Sequence, residues 1–317
     1  MVLAIYLPLL VPGLAVPLIR WLSDRLHPTW STWLVTLSAA VLATGTVLAL
    51  FLLAAAGVLA VPVVARLGHW SAATVRATDA RQLPLNIAAC PILLVLAVAA
   101  TAAMIGRIRA LAQAGRIARL GPGGSELVVV PDHRPVAHAV PGRPGRIVVS
   151  TSMLDLLDPA ERRALLAHER AHLSRQHHLF VAVVEVASAA NPLLRPLVPV
   201  VRYTTERWAD ELSAGRVGDR AVVARAVGKA ALATHNAPSL PSTVLAAATG
   251  PVPRRVAALL IGPPTRRPTA VLASPIGLCA VAALLLTGIS AVSVLDAAID
   301  LRHVLVLARL YAETSSP

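Results

Sequence analysis

The sequence predicts a mainly α protein: a four-span helical membrane protein with an inserted α+β segment. Three observations predict it. Apolar residues make up 56 % of the 317 residues and charged residues only 14 %, where a soluble globular chain carries about 25 % charged residues. Mean hydropathy is +0.69. Four stretches supply the roughly 20 apolar residues that a membrane-crossing helix needs, and the long interval 106–269 is the soluble-looking part. A soluble secreted protein, a collagenous chain and a disordered tail are excluded by the same composition.

The spans run at about 1–19, 33–64, 83–105 and 270–295. In the first, Arg20 and Arg25 follow the apolar run instead of preceding it, which suits a span with an outside N-terminus better than a cleaved signal peptide. Pro8, Pro12 and Pro17 kink it, as neighbouring helices allow. The second is overlong and is expected to tilt or to extend past the bilayer. With the segment after the third span inside, ten arginines flank the spans on the inner side and five on the outer. Arginine excess marks the cytoplasmic side. The expected order is therefore three spans within 1–105, a cytoplasmic domain over 106–269, the fourth span at 270–295 and a short outer tail at 296–317, all in a plasma membrane.

Net charge is +13, and among 29 basic residues only Lys229 is lysine. Such a bias reads as the composition of a high-GC bacterial genome and not as nucleic-acid affinity. Basic residues beside apolar spans report orientation and contact with lipid headgroups. No direct nucleic-acid partner is expected, and oligomeric state is not encoded in any pattern here. Cys90 and Cys279 both fall in apolar runs, which speaks against a disulfide framework or a Cys-based zinc site.

Within 106–269, Gly121-Pro122-Gly123-Gly124 reads as a linker and 261–268 as an exit linker. The β-branched runs 126–130 and 146–150 read as strands. Asp158-Pro159-Ala160-Glu161 is a strong helix start: Asp caps, Pro suits the first helical position and Glu completes a capping box. That helix carries His168-Glu169-Arg170-Ala171-His172, an HExxH motif. A spacing of four puts both imidazoles on one face, where their nitrogens can converge on one metal. Glu169 lies beside them, placed to take a proton from water. About 0.007 such motifs are expected by chance in a chain of this composition, so the match carries weight against the bland reading of a surface helix with scattered histidines.

A catalytic zinc needs a third protein ligand, and three residues compete. His178 stands ten positions after His168, but Arg175 occupies the place where that arrangement needs glycine, and no methionine follows Met153. Glu185 lies in an apolar run. Glu206 is the strongest, because Glu206-Arg207-Trp208-Ala209-Asp210 is an ExxxD motif on a second helix. Two acids four apart repel unless a cation or proton donor lies between them, so Glu206 can ligate while Asp210 supports a ligand. His177 and His178 read as helix-end or interfacial residues. The interval 177–203 is apolar but broken by Glu185, Asn191, Pro192, Arg195, Pro196 and Pro199, so it reads as a helical hairpin and not as a span.

HExxH followed by ExxxD resembles the gluzincin membrane metallopeptidases, nearest to the beta-lactam-sensor and antirepressor type, with heat-shock and CAAX-processing membrane proteases more distant. The resemblance covers about 126–260 and the layout of three spans before and one after. It extends to the edge-strand sequence His138-Ala139-Val140 and to Pro253-Arg254-Arg255, which is similar to that family's terminal arginine-containing helix. It implies a zincin-type domain in which His168, His172 and Glu206 bind Zn2+, Glu169 is the general base, Asp210 supports a ligand, and His138, Ala139 and Val140 bind substrate backbone. The oxyanion donor stays open among Tyr203, His235, Arg216 and Arg220. A departure is plain: Ala226 stands three before Lys229, so the Ser-x-x-Lys of a penicillin-binding sensor is missing. The implied function is zinc-dependent cleavage of a cytosolic regulatory protein, a DNA-binding repressor, in signal transduction. The alternatives are a quality-control protease for membrane proteins and a non-catalytic zinc-binding receptor or scaffold.

Overall fold

The computed structural model describes residues 4–73, 75, 83–120, 125–235, 252–262 and 302–310, with isolated positions between 285 and 299. The first helices are α1 (Leu7–Ser23), α2 (Pro28–Leu59), α3 (Pro62–Leu67) and α4 (Leu83–Leu120). Prolines begin three of these helices at their first or second position, where a missing N–H costs nothing. The His27 side chain accepts from the Thr29 N–H and caps α2. Two helices are long and apolar enough to cross a membrane, Pro28–Leu59 and Leu83–Arg116.

This differs from the four expected spans. Helix α1 has only 17 residues, about 26 Å at 1.5 Å per residue, which is short of a bilayer core. Helix α2 starts five residues before the expected Trp33, at Pro28, and stops at Leu59, because Pro62 begins a separate helix. The linker at 121–124, all but the first two residues of the linker at 261–268, and all but isolated positions of the expected fourth span lie outside the described residues.

The inserted segment opens with three short strands, β1 (Leu127–Val130), β2 (Ala137–Val140) and β3 (Arg146–Ser150). They form one sheet in the order β1-β3-β2, β1 parallel and β2 antiparallel to β3. Helices α5 (Thr151–Leu156), α6 (Pro159–Ser174), α7 (His177–Ala190), α8 (Leu197–Val217), α9 (Arg220–His235) and α10 (Val252–Ile261) follow. The capping box expected at α6 is present: Asp158 Oδ1 accepts from the Ala160 and Glu161 N–H groups at 2.8 Å, and Glu161 Oε2 accepts from the Asp158 N–H at 3.1 Å. Helix α8 ends at Gly218, whose φ of 75° suits glycine.

Helices α7 and α8 form the expected hairpin, turning at Pro192–Leu194. Its apolar face packs on α1 and α2, where Ile19, Val35 and Leu42 meet Val184, Leu194 and Val201 in one buried cluster. Burying each such side chain contributes about 1.5–3 kcal/mol. Two polar pairs bridge this interface. Thr32 Oγ1 donates to Thr204 Oγ1 at 3.0 Å and Asn191 Nδ2 to Thr46 Oγ1 at 2.9 Å. A second cluster joins β3, α5 and α6 through Ile147, Val149, Met153, Leu157 and Leu165, and a third joins α6, α9 and α10 through Ala164, Val223 and Leu259. Helices α6 and α8 are thus held from both sides.

Candidate metal centre

Helix α6 presents His168 and His172 on one face, and α8 brings Glu206 to meet them. The three ligand-capable atoms lie within 4.8 Å of one another. His168 Nε2 is 3.1 Å from His172 Nε2, and the Glu206 oxygens approach the two rings at 3.3 and 3.4 Å. Two ring nitrogens and a carboxylate facing one another at these distances repel unless a cation or a proton lies among them. The donor set also suits zinc, with two imidazoles and one carboxylate.

Around this trio sits a set of groups that fix it. His168 Nδ1 lies 3.0 Å from Asp210 Oδ1, which keeps a proton on Nδ1 and leaves Nε2 as the free lone pair. Arg255 of α10 grips Asp210 with both forks, Nε to Oδ2 at 2.8 Å and Nη2 to Oδ1 at 2.7 Å, and its Nη1 is 2.9 Å from Glu206 Oε2. His172 Nδ1 is 3.1 Å from His177 Nδ1, and the His177 ring packs on Trp208 at 4.9 Å.

The electrostatics follow. Burial raises the carboxyls of Glu206 and Asp210, but Arg255 beside them outweighs it and holds both below the usual range, Asp210 at about 2. Burial lowers His172 to about 4, so its ring is neutral and able to ligate. Burial likewise lowers His177 to about 3. Burial also disfavours charge on His168, yet its hydrogen bonds to Asp210 and Glu206 prevail and raise it to about 10. The acceptors around His168 thus favour a proton or a cation at this point. Glu169 is buried, and desolvation pushes its carboxyl up, towards the range of a general base.

A cleft of about 700 Å³ opens onto the trio and is lined by His168, Glu169, His172, Glu206, His138 and Ala139, among others. Its wall includes β2, the edge strand of the sheet, and the Ala139 backbone hydrogen-bonds Glu169. Val140, expected with His138 and Ala139, is buried and does not line the cleft. Of the four residues considered as oxyanion donors, Tyr203 lines the cleft. Arg220 is instead clamped to Glu211 at 2.7 and 2.9 Å, Arg216 does not line it, and the His235 side chain lies outside the described residues. His178 lines the cleft without joining the trio, and Glu185 pairs with Arg107 and Arg202 instead.

Residues 107–261 match peptidase family M48. The matched segment runs from Arg107 of α4 to the last residue of α10. No curated protein and no solved structure matches the chain significantly. M48 peptidases are typically zinc-dependent, in keeping with the His168, His172 and Glu206 donor set. The match supports a gluzincin metallopeptidase; it does not single out the antirepressor type.

Two features of the site go beyond what the motifs give. The sequence marks Arg255 only as part of a helix similar to the family's arginine-containing one, and its partner Asp210 is 45 residues away in the chain. His177 touches His172 as the first residue of α7, across a turn in which Gln176 takes a left-handed φ of 52°. Its spacing of five from His172 was the available signal.

Proposed function

We propose that this chain is a membrane-anchored zinc endopeptidase whose target is a cytosolic regulatory protein, a DNA-binding repressor. The observation that carries the peptidase reading is the convergence of His168, His172 and Glu206 beside Glu169 in a cleft walled by an edge strand. In this reading the three converging residues hold zinc, and Asp210 and Arg255 keep the ligands in register. A zinc ion held there supplies Lewis acidity, polarising a carbonyl and acidifying water. Glu169 takes the proton of the attacking water and returns it to the leaving amine. Substrate adds to the sheet along β2, whose His138 and Ala139 pair with its backbone. Tyr203 supports the oxyanion from the cleft wall.

Two apolar helices of spanning length support a membrane location, and the arginine distribution supports a cytoplasmic domain. The regulatory target rests on the resemblance to the antirepressor enzymes. The test compares cells carrying wild type and Glu169→Gln by quantitative proteomics, with zinc measured in the purified proteins. One zinc per chain is expected in wild type and Glu169→Gln, and a large loss in Glu206→Ala. A single uncleaved repressor in Glu169→Gln, with its regulon silent, supports the proposal. Accumulation of many membrane proteins without one regulon shifting replaces it with quality control. Unchanged zinc in Glu206→Ala removes Glu206 from the ligand set.

A further inference from the structure

Glu185 is an acid in an apolar helix that the metal centre does not use. Its carboxylate accepts from Arg202 Nη2 at 2.6 Å on one oxygen and meets Arg107 Nη2 on the other. Its side chain is 13 % exposed, whereas those of Arg107 and Arg202 are 41 % and 40 % exposed. Among the described residues, Glu185 is the only acid paired with either arginine, so the three together carry one net positive charge. Both arginines line the same cleft as the metal-centre residues. A guanidinium carries five N–H donors in a fork that matches a carboxylate, and here the contacts with Glu185 run through one Nη2 of each.

The position is defined by helix geometry. Arg202 stands four residues before Glu206 on α8, one turn away on the same face, which is about 6 Å at 1.5 Å per residue. A peptide bound in extended form advances about 3.3 Å per residue. For a peptide running along α8, Arg202 thus faces a residue about two positions from the bond lying over the metal centre. Val181, Val198 and Pro199 line the cleft nearby, and apolar surroundings strengthen a charged contact.

We propose that Arg107 and Arg202, braced by Glu185, form a carboxylate-binding subsite that selects an acidic side chain or a C-terminal carboxylate in the substrate. The proposal rests on the peptidase reading and assigns the substrate class of that same cleft. Glu185 orients the two forks and keeps them from repelling each other. The empty donors then bind the incoming carboxylate.

The experiment uses the full chain in detergent micelles with zinc. A proteome-derived peptide mixture is digested and the cut positions are read by mass spectrometry. Matched peptides follow: one with an internal glutamate and an amidated end, its glutamine counterpart, and that counterpart with a free C-terminus. Asp or Glu, or a chain end, should be enriched at a fixed position about two residues from the cut. Arg202→Gln and Arg107→Gln should each raise KM for the favoured carboxylate peptide about tenfold or more, with kcat and the neutral peptide little changed. Glu185→Gln keeps an amide oxygen to orient the forks while removing the competing negative charge, so it should act in the opposite direction and lower that KM. A folding defect would weaken all three variants together, so opposite signs separate recognition from damage. Cleavage with no acid preference overturns the proposal, as does equal loss for acidic and neutral peptides. It is also overturned if the arginine variants change only binding to phosphatidylglycerol vesicles, which would assign the pair to lipid phosphate. Absence of any cleavage by the zinc-loaded wild type is a different result: it removes the peptidase reading itself and this subsite with it.

Discussion

Replacing Asp210 by asparagine keeps the size of the side chain and removes its charge, and the structure sets what should follow. Asp210 is fully buried and receives two forks of Arg255 at 2.7 and 2.8 Å while facing His168 Nδ1 at 3.0 Å. Asparagine retains one acceptor, so one charge-assisted hydrogen bond is lost, about 1.5–3 kcal/mol. That is less than the 3–5 kcal/mol typical of breaking a buried pair outright. The amide nitrogen faces one prong of the Arg255 fork and can no longer accept from it, so Arg255 leans more on Glu206, 2.9 Å away, and draws that carboxylate off the metal. The one remaining acceptor is uncharged, so it holds the His168 tautomer less firmly. Loss of such support weakens metal binding by about 10–100-fold. At saturating zinc, the stabilisation conferred by the metal should shrink by about 1.4–2.7 kcal/mol. Competition with a chromophoric chelator gives the affinity, and thermal unfolding with and without zinc gives the stabilisation. The double variant Asp210→Leu, Arg255→Met removes both charges, so stability should return to within about 1 kcal/mol of wild type while zinc affinity stays low. Zinc affinity within twofold of wild type in Asp210→Asn would refute the reasoning, as would recovery of both properties in the double variant.

Two further outcomes test the scaffold. A cysteine placed at the exposed Ser125 should react with an impermeant thiol reagent only after permeabilisation, and one at Ser71 should react in intact cells; the reverse pattern puts the peptidase domain outside. Thr204→Val removes the hydroxyl that Thr32 meets at 3.0 Å while Thr32 keeps its bond to the Pro28 carbonyl at 2.8 Å, and should lower stability by about 0.5–1.5 kcal/mol in thermal unfolding. No measurable loss would mean that the α2–α8 contact is not held by this pair.

The parts of the site that the sequence revealed are those carried by short spacings. The capping box, the HExxH helix and the ExxxD pair each lie within one or two helical turns, so a local pattern fixes the face on which the side chains sit. The strands at 127–130 and 146–150 were visible for the same reason, as β-branched runs between turn residues. Where two segments distant in the chain must meet, pattern gave less. Glu185 was a plausible ligand until α7 packed with that residue turned towards Arg107 and Arg202. Arg255 gained its role only from the docking of α10 on α8. At the first span, hydropathy places the end at residue 19, whereas the helix continues through Arg20 and Trp21 to Ser23. At the second, Pro28 and His27 outside the apolar run set the start of α2, a capping effect that hydropathy ignores.

The long-range links at the base of the site also impose an order on its biosynthesis. Thr32 and Thr204 are 172 residues apart, and the ion pair between Asp24 and Arg254 joins residues 230 apart. Arg255, which clamps Asp210, is made 45 residues after it. At roughly 5–20 residues per second this interval lasts about 2–9 s, during which the nascent chain carries HExxH and ExxxD without their clamp. The clamp on Asp210 therefore closes only near the end of the synthesis of residues 107–261, once α10 has emerged and docked. Distance along the chain works as a timer for completing the support of the metal centre.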